Sequence, residues 1–287
     1  MHAHIIYNHR LLKRDAACLP AVTAASLYGR GVFTTVAVYK GAPFLWPYHW
    51  QRLVNHAERV GVDTNEIDEA RVLASLKKLI KANGVTTGRA RISLLRNTEG
   101  GVWKIEESER AKTDLLVFTA EAYEVREDGL AITVSPFRVN HMSPLAGVKS
   151  VNYLERVIAL EEVRSRDFDE AVVMNEQGEV VSGTMSNIFW VTHGTLHTPA
   201  IATGAVSGTT RAHVISIASD LSIPLVEGAY ELSQLADADE IFLTSAELGV
   251  ALVTMFDFRR YSFPVGSVSI RMREAFREET MKATDGK

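Results

Sequence analysis

A mixed α/β fold of the α+β kind, in two domains, is predicted by three features of the sequence. Short runs with strand periodicity and longer runs with helical periodicity follow one another without strict alternation, which argues against a single wound parallel sheet. Residues 121–128 hold four acidic residues and little apolar content, and they interrupt the chain near its middle. The 287 residues are enough for two separate cores. We therefore expect a smaller N-terminal α/β domain over residues 1–120, a linker over 121–128 and a larger domain over 129–287.

The elements follow from local pattern. Ile5 to Tyr7 and the run from Leu11 form a hairpin turned at Asn8-His9, and Gly31 to Tyr39 reads as a strand stopped at Lys40-Gly41. A helix is predicted over residues 47–60, with Trp50, Leu53, Val54 and Ala57 on one face, and another over 67–82, ended by Asn83-Gly84. Strands follow at 90–95 and 114–119, separated by a Gly-Gly loop that reaches Trp103. In the second half strands are expected at 131–134, 170–174, 180–181, 188–191, 196–198, 224–226 and 240–244. Helices are expected after Lys149, after Gly208 and after Glu231, and Lys282 and Lys287 fall in a polar tail. No repeat or low-complexity tract occurs.

Composition narrows the partners. A net charge of −4 with 23% charged residues gives no electrostatic footprint for nucleic acid or an anionic membrane, so a small soluble substrate is expected. The single cysteine, Cys18, excludes an intramolecular disulfide, and no Cys/His set has zinc spacing, so no metal is expected. The first ten residues lack a signal-peptide pattern and no run of about 18 apolar residues occurs, which predicts a cytoplasmic protein.

Five stretches could carry chemistry. Lys149 lies between a Pro/Gly-containing turn and an amphipathic run containing Leu154, Val157, Ile158 and Leu160. Burial at such a junction lowers an amine's pKa and frees a nucleophile able to form a Schiff base; the alternative is a solvated side chain. Val206-Ser-Gly208-Thr209-Thr210-Arg211 opens a helix with hydroxyls and unpaired N–H groups, which suits a phosphate or simply caps the helix. Thr244-Ser245 repeats hydroxyls at a strand end. Arg52 either reaches a phosphate in bidentate fashion or is a solvated helix arginine. In Ser182-Gly183-Thr-Met-Ser186-Asn187-Ile-Phe189, the Asn187 amide needs a partner and either ties the turn together or contacts a ligand.

Taken in order, Arg52, Gly147-Val-Lys149, the Ser-Gly-x-x-Ser-Asn-x-Phe element, Gly-Thr-Thr-Arg and Thr-Ser-Ala resemble the class IV, or fold type IV, pyridoxal-phosphate aminotransferase family. The resemblance spans nearly the whole chain. Gly29-Arg-Gly31-Val-Phe-Thr-Thr35, His49 to Leu53, and Gly147 to Glu155 are most similar to the aminodeoxychorismate lyases within it. The resemblance implies pyridoxal 5′-phosphate bound covalently to Lys149, with Arg52, Thr209, Thr210 and Thr244 or Ser245 around its phosphate and Ser182 and Asn187 beside it. It also implies Thr34 or Thr35 on the substrate side, Arg96 and the 97–103 loop covering a partner's active site, and a homodimer. The implied reaction converts 4-amino-4-deoxychorismate to p-aminobenzoate and pyruvate in folate synthesis, with Lys149 as general acid and base. The alternatives are a class IV aminotransferase of D-amino or branched-chain amino acids, or a weakly active or non-catalytic relative.

Ser182 departs from the family pattern, which has a glutamate there facing the cofactor's ring nitrogen. A carboxylate keeps that nitrogen protonated and strengthens the ring as an electron sink, whereas serine offers a neutral hydrogen bond. Glu179, three residues earlier, should point to the opposite face of an extended strand, and Glu176 is farther off. Three consequences follow as alternatives: a neutral ring suited to elimination, a charge supplied from elsewhere in the fold, or lost activity.

Overall fold

The computed structural model describes residues 1–98, 112–122 and 128–285. The chain divides into two compact units. The first comprises Met1–Tyr123 with Val148–Tyr153 and Ala283–Lys287, and the second Glu124–Gly147 with Leu154–Lys282. The division between residues 123 and 124 falls inside the acidic 121–128 stretch, of which 123–127 lie outside the described residues. Lys149, expected in the large C-terminal domain, belongs instead to the first unit.

The first unit contains β1 (His4–Tyr7), β2 (Arg10–Lys13), α1 (Ala24–Tyr28), β3 (Gly31–Tyr39), β4 (Ala42–Pro43), α2 (Trp46–Arg59), α3 (Glu69–Ala82), β5 (Gly88–Asn97) and β6 (Lys112–Glu121). Its six strands form one antiparallel sheet in the order β2-β1-β6-β5-β3-β4. The first hairpin turns through Asn8 and His9, both at positive φ, as a two-residue turn that matches strand twist requires. Helix α3 starts with Asp68 capping the Arg71 N–H and stops at Asn83, before Gly84 at φ 64°. Its Val72, Leu76 and Leu79 pack with Leu53 and Ala57 of α2 against Val36, Ile92 and Val117 of the sheet. Burying each large aliphatic side chain is worth about 1.5–3 kcal/mol, which holds both helices on this sheet.

The second unit contains β7 (Leu130–Val139), α4 (Leu154–Arg164), β8 (Glu170–Asn175), β9 (Val180–Gly183), β10 (Asn187–Thr192), β11 (Thr195–Pro199), α5 (Thr209–Asp220), β12 (Leu225–Gly228), α6 (Leu232–Ala236), β13 (Glu240–Ser245), β14 (Gly249–Phe256), β15 (Arg259–Arg260) and α7 (Val268–Asp285). Its sheet runs β12-β11-β10-β13-β14-β7-β8-β9, with β15 paired to β14. The β11–β12, β14–β7 and β7–β8 pairs are parallel and the others antiparallel. Five elements were not anticipated: α1, the two-residue β4, the apolar strand β14, the short β15 and the 18-residue helix α7, which replaces the expected polar tail. Helix α4 forms where predicted but buries Ala159 and Val163, leaving Leu154, Val157 and Ile158 exposed.

Candidate active site

Lys149 is placed by the edge of the first unit's sheet. Beyond the two-residue pairing with β4, the first half of β3 has an open edge, and residues 149–151 fill it. The Phe33 N–H donates to Lys149 O and the Val151 N–H to Gly31 O, both at 2.9 Å, and Val32 bridges Ser150. The Lys149 N–H donates to His56 Nδ1 at 3.0 Å. Its side chain is half-buried, with Nζ 4.6 Å from the centroid of Phe33 and 4.9 Å from that of Tyr153. Burial lowers the Lys149 pKa; Tyr153 opposes this and Arg52 and Arg91 reinforce it. The aromatic faces favour the cation, but desolvation is the larger effect, so the neutral amine becomes easier to reach.

Helix α2 turns a polar stripe inward. His49, Arg52 and His56, spaced by three and four residues, are all buried. Arg52 Nη2 donates to Thr34 Oγ1 at 2.7 Å, and Thr34 Oγ1 lies 2.7 Å from His49 Nδ1. Arginine can only donate, so Thr34 Oγ1 accepts from Arg52, while the direction of its bond to His49 Nδ1 follows the histidine tautomer. His56 Nδ1 accepts from the Lys149 N–H, which leaves the proton of neutral His56 on Nε2. Burial, then Arg52, lowers the His49 pKa well below the usual histidine value and that of His56 to about 4. Burial brings Arg52 itself down to about 10, with Tyr153 opposing. Concentrated positive charge held by neutral histidines and a tyrosine is suited to receiving an anion.

In the second unit the turn between β9 and β10 is organised by Glu170. Its buried carboxylate accepts from the N–H groups of Ala171, Thr184 and Met185 at 2.9, 2.9 and 3.0 Å, and from the hydroxyls of Thr184 and Ser186. Gly183 permits the close turn, since a Cβ there would lie 2.1 Å from Ser186 Oγ. Ser182 is buried on β9, and Arg156 of α4 donates to its Oγ at 3.1 Å and to Gly183 O at 3.2 Å. The nearby acids are engaged elsewhere: Glu179 accepts from Asn175 Nδ2 at 2.7 Å, and Glu176 from the His141 N–H, with His141 Nδ1 at 2.6 Å. A cation, not a carboxylate, stands beside Ser182.

The start of α5 lies close to two predicted residues. Its N-cap is Gly208, which has no side chain to cap with, and Thr209 and Thr210 are buried in the first turn. Asn187 Nδ2 donates to Val206 O at 2.9 Å, and a Cβ on Gly208 would sit 2.0 Å from Asn187 Oδ1. Asn187 thus ties β10 to the loop that aims the helix. Register places Thr244 opposite Asn187, and Thr244 Oγ1 is buried with no hydrogen-bond partner among the described residues. Ser245 Oγ accepts from the N–H groups of Glu247 and Leu248, so it stabilises its own turn. Arg211 turns away, donating to Pro199 O and pairing with Glu227. The Thr244 hydroxyl, without a partner among the described residues, and a helix start with glycine at its N-cap fit a phosphate group.

Two expected substrate residues have other duties. Thr34 is fully buried and its hydroxyl serves Arg52 and His49, while Thr35 lies on the opposite face of β3, with Phe33, and pairs in register with Arg91. Arg96 Nη1 donates to Gly61 O at 2.7 Å, just past the C-terminus of α2, where cations are favoured. Of the 97–103 loop, residues 99–103 lie outside the described residues. Sequence reasoning missed His56, Tyr153, Arg156 and Glu170. Only the His49/Arg52/His56 spacing offered a signal, as polar residues on one stripe of a helix.

A family model described as amino-transferase class IV matches residues 31–256. The chain belongs to the class IV aminotransferase family. This family is pyridoxal-phosphate-dependent. The aminodeoxychorismate lyase of Bacillus subtilis is 28% identical over 286 residues, covering 96% of this chain and 94% of the relative. A putative branched-chain-amino-acid aminotransferase of Methanocaldococcus jannaschii is 31% identical over 279 residues, covering 96% and 95%. The crystal structure of a 4-amino-4-deoxychorismate lyase from Pseudomonas aeruginosa superposes with a TM-score of 0.83 at 26% identity, covering 96% and 98%. Class IV members similar to this chain thus bear the names of both a lyase and an aminotransferase.

Proposed function

We propose that this class IV enzyme is an aminodeoxychorismate lyase, converting 4-amino-4-deoxychorismate to p-aminobenzoate and pyruvate in folate synthesis. The observation that carries the reading is the Arg156–Ser182 pair at the position where the family has a carboxylate. Similarity to the Bacillus subtilis lyase along nearly all of both chains supports it. Bound pyridoxal phosphate supplies an electron sink for negative charge developing on the substrate. Lys149 Nζ would hold the cofactor covalently and, as a free amine, would take a proton from the substrate α-carbon and later return one. Its burial-lowered pKa suits both tasks. Arg52, Thr209, Thr210 and Thr244 hold the phosphate, and Thr35 lines the substrate side. Loss of the enolpyruvyl group as pyruvate leaves an aromatic ring, so the reaction tolerates a modest electron sink.

Exposed Leu154, Val157 and Ile158, one apolar stripe of α4, support a homodimer in which this stripe is covered. The decisive experiment incubates purified, cofactor-loaded protein with enzymatically generated aminodeoxychorismate. Equal amounts of p-aminobenzoate and pyruvate are expected, while far faster turnover of D-alanine with 2-oxoglutarate would refute the lyase reading. Lys149→Ala should abolish both the visible absorbance of the bound cofactor and product formation. The second reading, an aminotransferase of branched-chain or D-amino acids, draws on the 31% identity to the Methanocaldococcus jannaschii relative.

A further inference from the structure

We propose that the charge of Arg156, held beside Ser182, keeps the ring nitrogen of the bound cofactor unprotonated. This rests on the reading above, in which residue 182 faces that nitrogen. A guanidinium has five donors and no acceptor, so at 3.1 Å Arg156 Nη1 must donate and Ser182 Oγ must accept. The one hydroxyl proton of Ser182 then points away from Arg156, and it now goes to Gly183 O at 2.8 Å. The hydroxyl oxygen keeps a second lone pair, so these bonds alone allow either state of a ring nitrogen; the guanidinium charge held 3.1 Å from Ser182 Oγ favours the unprotonated one.

A cation close to the ring nitrogen disfavours its protonation. Among the described residues Arg156 forms no ion pair, so its full charge acts beside Ser182 and disfavours a second cation. The carboxylates that could offset it are committed. Glu170 on β8 holds five donors of the 171 and 184–186 backbone and hydroxyls, Glu179 is bonded to Asn175, and Glu176 to His141. Arg156 is therefore a positioning residue that sets the electronic state of the ring, a role the unanswered question at Ser182 called for. A neutral ring is a weaker sink, which handicaps transamination more than an elimination driven by aromatisation.

The test loads the full-length protein with pyridoxal phosphate labelled with nitrogen-15 in the ring and reads the ring-nitrogen chemical shift against pH, with the visible spectrum as a loading control. The unsubstituted protein should show a neutral-pyridine shift at pH 7. Arg156→Lys should keep it. Arg156→Met, at a partly exposed site where folding is not at stake, should raise the midpoint of ring protonation by about one pH unit or more. Ser182→Glu should move the shift toward pyridinium, and further when combined with Arg156→Met, because the arginine otherwise neutralises the new carboxylate. A pyridinium shift in the loaded, unsubstituted protein overturns the inference alone, as does an unmoved midpoint in Arg156→Met. Absence of any visible band after loading overturns the cofactor assignment itself, and the inference with it.

Discussion

Thr244 and His56 are the residues at which the site is in tension with stability. A buried hydroxyl with no partner costs about 1–3 kcal/mol, and Thr244 Oγ1 is one. Thr244→Val should therefore raise the melting temperature of the cofactor-free protein, by about 2–4 °C per kcal/mol recovered, and weaken cofactor binding by about tenfold or more. Calorimetry and equilibrium binding check the two opposite signs; a lower melting temperature without cofactor would contradict the assignment. His56 gives a pH dependence. Its pKa is lowered from 6.5 unfolded to about 4 folded, chiefly by burial, so between these values the unfolded chain binds more protons. Stability should be intact above pH 6.5 and fall as pH drops toward 4, by a total on the order of 3 kcal/mol from this group. Protonation would also place a hydrogen on Nδ1, where the Lys149 N–H now donates. In denaturation midpoints measured across this range, His56→Gln should flatten the slope.

At the scale of elements, the turn joining β9 to β10 depends on one carboxylate. Glu170→Gln replaces two acceptor oxygens by one and should cost about 2 kcal/mol or more, read as a lower urea midpoint with unchanged slope. Much of this architecture was legible beforehand. Turn chemistry at Asn8-His9, Lys40-Gly41 and Asn83-Gly84 marked the element ends, and hydroxyls ahead of apolar periodicity marked the start of α5. Other parts had no local signature. Helix α7 is strongly polar apart from a narrow stripe including Met272 and Phe276, so it read as a tail. The apolar residues Leu154, Val157 and Ile158 face outward, because the sequence pattern records that a helix has an apolar stripe but not what covers it. Arg156 and Glu170 look like ordinary surface charges in the sequence; their partners lie 26 and 14 residues away and meet them only through sheet pairing and helix packing.

At the scale of the whole molecule, the exposed stripe on α4 predicts self-association. Light scattering should give twice the 31.7 kDa chain mass, and Leu154→Glu with Ile158→Glu should return it to one chain mass without unfolding. The two units each possess a core, yet neither is a contiguous piece of sequence. Six residues, Val148–Tyr153, leave the second unit's stretch of chain and finish the edge of a sheet whose other strands end at Glu121. This has a consequence for synthesis. As the chain emerges from the ribosome, the N-terminal sheet can assemble with the β3 edge still open, and it closes only when residue 153 has appeared. Lys149 is thus delivered to its histidine and arginine neighbours by a late, long-range strand addition, and a truncated product that stops short of it has neither a sealed edge nor this lysine.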